Sequence, residues 1–301
     1  MKERFWIGSK EDTMVQWHDK QNVTLTVQVK KLVNDARRLL VALTDGHEIV
    51  RQGDAFGDTA RDTETKADLF LGRFLQQGLA AMPCVGRVTV EGMPELIGTG
   101  GPLWACVDPL DGSLNYRMRC GAIGLPHAIC VTIFDRVHSA VFDDVVVAVV
   151  ADLRSNDMWW SCRFFDERTS FLNGRPITAS SAAPLDLGSQ IVIGEMYYPE
   201  NRERLVRAFA GTRGWLRSCG SAAYEMALVA SGTAVAFISD RQKNHELGAG
   251  YALAVGAKGI ARDFDGNVLH TRPYHFNGQT PVVLSANQQI ADQIAERLRR
   301  G

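Results

Sequence analysis

Residues 104–116, WACVDPLDGSLNY, set two carboxylates, Asp108 and Asp111, three residues apart across a Pro-Leu turn and follow them with Gly112 and Ser113. An apolar strand that ends in two acids and a Gly-Ser step makes a poor core and a good cation cradle. Hard divalent ions such as Mg²⁺ take oxygen ligands and share them with substrate phosphates. The same residue types also build an ordinary Asp-Pro turn at a strand end, so the run alone leaves both readings open. Further acids stand at element ends: Asp68 at a helix start, Glu91 closing a β-rich run, and Glu246 opening a later helix. Each by itself reads as a solvated cap. Together they ask for a shared cation.

The elements that must position these acids follow from apolar periodicity. Residues 23–43 repeat apolar positions at helical spacing (Val27, Val29, Leu32, Val33, Ala36, Leu39, Leu40, Leu43), and residues 65–81 read as a second helix carrying Lys66 and Asp68 in its first turn. A Gly-Asp-rich stretch, 53–62, separates them. Residues 85–90, 127–134 and 139–152 read as strands, and 159–165 and 171–177 as hairpin pieces with Asn173-Gly174 as a turn. This half is expected to be an antiparallel sheet with two helices in front of it. The second half alternates strands (190–194, 215–217, 234–238, 259–263, 282–285) with helices (200–210, 221–231, 245–255, 287–299). Such alternation implies a layered sheet covered by helices. The halves divide at 1–185 and 186–301, as one compact unit without a flexible linker or internal repeat.

Length and composition bound the function classes. A chain of 301 residues holds a large core, and 33 Lys and Arg against 34 Asp and Glu leave a formal net charge of -1. No global field recruits nucleic acid or an anionic membrane. No apolar run is long enough to span a membrane, and the first residues lack the apolar core of a signal peptide, so the chain reads as cytoplasmic. Six cysteines (Cys84, Cys106, Cys120, Cys130, Cys162, Cys219) show no Cys-x-x-Cys spacing, which argues for buried reduced thiols rather than a zinc site or disulfides.

These motifs resemble the inositol monophosphatase superfamily of Mg²⁺-dependent, lithium-sensitive phosphatases, which includes fructose-1,6-bisphosphatases. Residues 104–116 match that superfamily's Trp-x-x-Asp-Pro-hydrophobic-Asp-Gly-(Thr/Ser)-x-Asn-aromatic signature throughout; Thr65 to Asp68, Glu91, FLNGRPI at 171–177 and GSAA at 220–223 match four more motifs in the right order. The resemblance covers roughly residues 60–270 and implies an α/β layered, αβαβα sugar-phosphatase fold, an antiparallel sheet half followed by a mixed half, and commonly a homodimer. It implies two or three Mg²⁺ ions: Glu91 and Asp108 with the Leu110 carbonyl on the first, Asp108, Asp111 and Glu246 on the second, and Glu91 with waters on a weaker third. It implies Ser113, hydrogen-bonded to Asp68, as the pair that orients and deprotonates the attacking water. Gly112, Ser113, Gly220, Ser221 and Ala222 would hold phosphate or line the pocket, Arg217 is a candidate anion contact, and Asp240, read as a loop acid, a candidate acceptor for a substrate hydroxyl.

Departures from the pattern bear on substrate. The second signature, usually Trp-Asp, stands here as His245-Glu246; His245 reads as a packed replacement for the Trp, and the longer Glu246 arm still reaches a metal, as in fructose bisphosphatases. Gly92 replaces the second Glu of an upstream pair, and Ser239 stands where inositol-specific members carry a Glu that reads ring hydroxyls. The resulting expectation is Mg²⁺-dependent hydrolysis of a small phosphate monoester (a sugar, polyol or inositol phosphate), with fructose 1,6-bisphosphate, 3'-phosphoadenosine 5'-phosphate and histidinol phosphate as alternative substrates. A catalytically weakened relative, kept as a binding or regulatory protein, is the competing class. Asp111→Asn is expected to remove most turnover with the fold intact.

Overall fold

A computed structural model of the chain describes residues 10–52, 63–118, 124–164, 167–182, 184–186, 188–211 and 215–300. The Gly-Asp-rich stretch 53–62 and Cys120 lie outside them. In order, the elements are α1 (Lys10–Ala42), β1 (Ile49–Gln52), β2 (Thr63–Thr65), α2 (Lys66–Ala80), β3 (Val85–Val90), β4 (Leu96–Ile97), β5 (Leu103–Asp111), α3 (Ser113–Arg117), β6 (Ala128–Phe134), β7 (Val145–Asp152), β8 (Met158–Phe164), β9 (Glu167–Leu172) and β10 (Arg175–Pro176). There follow β11 (Ile191–Gly194), α4 (Pro199–Ala208), β12 (Trp215–Arg217), α5 (Ala222–Ala230), β13 (Ala236–Lys243), α6 (Asn244–Gly256), β14 (Ile260–Arg262), β15 (Gln279–Ser285) and α7 (Gln288–Arg300).

Two sheets alternate with three helical layers. The larger has eight strands in the order β10-β9-β8-β7-β6-β5-β3-β4, antiparallel except for the β3–β5 pair. On one face it takes α1 and α2: Leu25, Val29, Val33, Ala36 and Leu40 of α1 recur at helical spacing and close on Leu71, Leu75 and Leu79 of α2. On the other face lie α5 and α6, which also cover the five-stranded sheet β12-β11-β13-β15-β14. Beyond that sheet, α4 and α7 close the last layer around Leu205, Ile290 and Ile294. The expected αβαβα arrangement is therefore present. Because α6 is sandwiched between the two sheets, 12 of its 13 residues are buried. Small residues permit this: a Cβ on Gly248 would come within 3.1 Å of Thr132 and one on Gly250 would strike Met226.

Most expected elements stand within two residues of their predicted ends, and the Asn173-Gly174 turn joins β9 to β10 with both residues at positive φ (51° and 81°). Three readings need correction. Helix α1, expected from residue 23, begins at Lys10. The run 139–152 is one strand only from Val145: Ser139 turns at φ 51° and a 3₁₀ turn, Phe142–Asp144, precedes β7, its Asp144 carboxylate accepting from the Val141 N–H at 2.9 Å. Strand β13 does not stop at Ile238 but continues through a bulge between Ser239 and Gln242 to Lys243, pairing with Gln279, so Asp240 lies on a strand and not in a loop. The described cysteines form no disulfide, and no described helix is long and apolar enough to cross a membrane.

Candidate active site

The end of β5 explains how two acids three apart reach one site. Side chains alternate faces along a strand, so residues 108 and 111 belong on opposite sides. The pairing with β6 shifts there: Asp108 opposes Cys130 and Asp111 opposes Ala128, so three steps on β5 match two on β6. This one-residue bulge restores a common face, and Pro109, which cannot donate to a ladder, is tolerated at it. The Leu110 N–H turns back to Asp108 Oδ1 at 2.9 Å. Asp108 Oδ2 is buried with no hydrogen-bond partner.

Glu246 joins this pair from the first turn of α6. Oxygens of Asp108, Asp111 and Glu246 lie within 4.8 Å of one another, an all-oxygen set that fits a hard divalent cation, and the orphaned Asp108 Oδ2 supplies the site with an unspent ligand. Gln242, near the end of β13 and buried, donates from Nε2 to Glu246 Oε2 and fixes that carboxylate. Glu91, just beyond β3, is held by its N–H on Val107 O at 3.0 Å. Its Oε1 meets Lys243 Nζ at 3.1 Å and His245 Nε2 at 3.3 Å. His245 is fully buried with its ring against Phe276, as a packed residue should be, yet with Glu91 and Asp108 it also forms a second group of mutually close ligand atoms.

Asp111 has a further role that its type did not announce. Helix α5 begins after Ser221, whose hydroxyl does not cap its own helix. Instead Asp111 caps it from the other half of the chain: Oδ2 accepts from Ser221 Oγ at 2.6 Å and Ala223 N at 2.8 Å, and Oδ1 from Ala222 N at 3.1 Å. Asn115 ties the same two segments, its amide lying 2.7 Å from Cys219 O and 2.6 Å from Pro126 O. Between them Gly112 sits at φ 83°, and a Cβ there would come within 3.0 Å of Pro126 O and 3.1 Å of Gly220 O. Only glycine fits.

Asp68 is locked in the capping box of α2, Oδ2 accepting from Thr65 N at 2.7 Å and Thr65 Oγ1 at 2.6 Å. That leaves Oδ1 for Ser113 Oγ at 2.7 Å, while the same hydroxyl lies 2.8 Å from Leu110 O. Burial lifts the Asp68 carboxyl to about 7, against the hydrogen bonds from Thr65 and Ser113.

Glu91, Asp108, Leu110, Asp111, Gly112, Ser113, Gly220, Ser221, Ala222 and Glu246 all line one cavity of about 350 Å³. Asp68 stands behind Ser113. Arg217 and Asp240 are not in the lining: Arg217 is exposed, its guanidinium on Leu216 O, and Asp240 is 3.6 Å from Arg241 Nε. Glu195, Tyr197, Tyr198, Glu225, Arg241, Gln242 and Lys243 are among the other lining residues, and none of them was singled out from sequence. Burial pushes Asp108 well up, and Glu91, Asp111 and Glu246 push it further. Asp111 is raised by burial too, against its hydrogen bonds from α5. Burial also acts upward on Glu91, but His245 and Lys243 outweigh it and hold the carboxyl well below the usual range. Carboxylates this close cannot all stay ionised without added positive charge.

Similarity to known proteins agrees with this geometry. The model of the inositol monophosphatase family matches residues 19–301. The Nus factor SuhB of Escherichia coli K12 is 28% identical over 221 residues, 71% of this chain and 76% of that protein. A fructose-1,6-bisphosphatase/inositol-1-monophosphatase of Methanothermobacter thermautotrophicus is 26% identical over 194 residues, 64% and 66% of the two chains. In three dimensions the chain is similar to an IMPase of Thermotoga maritima, with a TM-score of 0.71 at 22% identity over 92% of this chain and 97% of that one.

Proposed function

This chain belongs to the inositol monophosphatase family, and from that premise and the site geometry we propose that it is a phosphatase hydrolysing a small phosphate monoester with the help of bound Mg²⁺. The observation that carries the reading is the meeting, at one cavity, of the Asp108–Asp111–Glu246 oxygen set and the Ser113–Asp68 pair. Asp108, Asp111 and Glu246 would hold a cation, and Glu91 and the Leu110 carbonyl are the further ligands that the family resemblance implies. Such ions neutralise phosphoryl charge and acidify a bound water.

The chain's own residues supply the rest. Asp68, fixed by Thr65, takes the Ser113 proton, and the Ser113 oxygen in turn accepts one from the attacking water, so no covalent enzyme intermediate forms. α3 has only five residues, so what it offers a phosphate is local: the N–H groups of Gly112 and Ser113, approachable because residue 112 has no side chain. Ser221 and Ala222 hold the opposite side of that turn through Asp111. The remaining wall mixes apolar and aromatic side chains (Leu114, Met196, Tyr197, Tyr198) with polar ones, among them Glu195, whose Oε2 is buried without a hydrogen-bond partner, and Arg241, 4.7 Å over the Tyr198 ring. Polar groups of this kind suit a hydroxyl-bearing leaving group, a sugar or polyol, better than an apolar one. The name of the Methanothermobacter relative points the same way.

The relatives named Nus factor favour a second reading, a regulatory binding protein with a weakened site. A phosphate-release screen over phosphometabolites with Mg²⁺ separates the two. The phosphatase reading expects Mg²⁺-dependent release that Asp108→Asn abolishes; no release from any sugar or polyol phosphate by the well-folded wild-type chain would overturn it.

A further inference from the structure

Lys243 occupies a place no carboxylate site needs for structure. It is the last residue of β13 and the N-cap of α6, so no loop separates strand from helix; its backbone is held by pairing with Gln279, and the next N–H, of Asn244, bonds Gly278 O at 2.9 Å. The cap and the second and third helical positions of this junction therefore aim Lys243, His245 and Glu246 into the same acidic cluster. The ammonium reaches Glu91 Oε1 at 3.1 Å with the two side chains only 17% and 22% exposed. His245 Nε2 stands on that same oxygen at 3.3 Å. Exposed ion pairs are incidental surface features; this one forms part of the cavity wall, beside Asp108.

Positive charge at that point has one evident competitor, a divalent ion resting on Glu91. An ammonium and such an ion, both within contact of one carboxylate, repel strongly at low dielectric. We propose that the Lys243 ammonium permanently takes the place of a divalent ion at Glu91, so that this chain binds one ion fewer than its carboxylates would otherwise accept. The ion held by Asp108, Asp111 and Glu246 is retained. The idea rests on reading the acidic cluster as a cation site. It implies that part of the charge neutralisation a phosphate ester meets here is built into the chain, independent of metal supply.

The number of Mn²⁺ ions bound per chain at saturation, by equilibrium dialysis with metal analysis, reads this directly and needs no turnover. The wild-type chain and Lys243→Arg should bind equal numbers, and Lys243→Met and Lys243→Gln one more each. Using two neutral replacements and checking each by circular dichroism keeps a misfolded variant from deciding the matter. Equal counts in wild type and both folded neutral variants would overturn the proposal, as would loss of an ion from His245→Ala, which would show that a metal rests on Glu91 and His245 together. Failure of the phosphatase reading shows separately, as absence of Mg²⁺-dependent phosphate release.

Discussion

Asp111→Asn tests the site and the fold at once. The carboxylate serves three donors, Ser221 Oγ and Ala223 N on Oδ2 and Ala222 N on Oδ1. An amide has one acceptor oxygen. With that oxygen left on Ser221 and Ala223, the new NH₂ group faces the Ala222 N–H at the position now 3.1 Å away. An unsatisfied buried donor costs about 1–3 kcal/mol, and the lost charge at the start of α5 about 0.3–1 kcal/mol more. Against this, the substitution removes one of several crowded acids, which relieves the metal-free protein. The net expectation in chelator is a loss of about 1–3 kcal/mol, contrary to the simple view that the fold is untouched. With Mg²⁺ at a hundredfold excess over its Kd the wild-type chain gains about 2.7 kcal/mol and the variant little, so the gap widens. Urea unfolding followed by tryptophan fluorescence, with chelator and with Mg²⁺, measures both differences. A variant as stable as wild type in chelator, and equally stabilised by Mg²⁺, would refute both the cap and the ligand role.

Two further outcomes follow from the neighbouring residues. Gly112→Ala places a Cβ on two backbone carbonyls at positive φ and should cost about 2 kcal/mol or more; a loss under about 0.5 kcal/mol in the same unfolding assay would contradict the geometry. Burial raises Asp68 to about 7, so the ionised, proton-accepting form grows as pH rises through that value. The hydrolytic rate should climb with pH there, and Ser113→Ala should lower kcat by about 10²-fold or more. A rate independent of pH from 6 to 8 would count against Asp68 as the base.

The acids were singled out in the sequence by company rather than by spacing: the Asp-Pro-Leu-Asp run alone reads equally as a turn, and only the motifs around Asp68, Glu91 and Glu246 turn it into a candidate cation site. The layered fold was legible because the repeats of α1, α2, β6 and β7 are long and clean. What escaped reading clusters around β13. Its continuation, SDRQK, carries polar residues on every position because the bulge after Ser239 breaks the alternation that marks a strand. Gln242 and Lys243 were lost with it, although both touch metal-ligand candidates. His245 was read as a packed replacement for the Trp of the second signature, and that reading does not reveal that Nε2 faces Glu91. Asp240, expected near substrate as a loop acid, lies on β13 and is not in the cavity lining.

The Asp111 cap has a consequence for how the protein comes into being. Three acids, Glu91, Asp108 and Asp111, leave the ribosome on the first sheet well before α5 and Glu246 exist to answer them. Until the second sheet docks, Asp111 has no helix to cap and the cation set lacks a member. Assembly of the two layers around α5 and α6 is thus the event that brings the Asp108, Asp111 and Glu246 oxygens together.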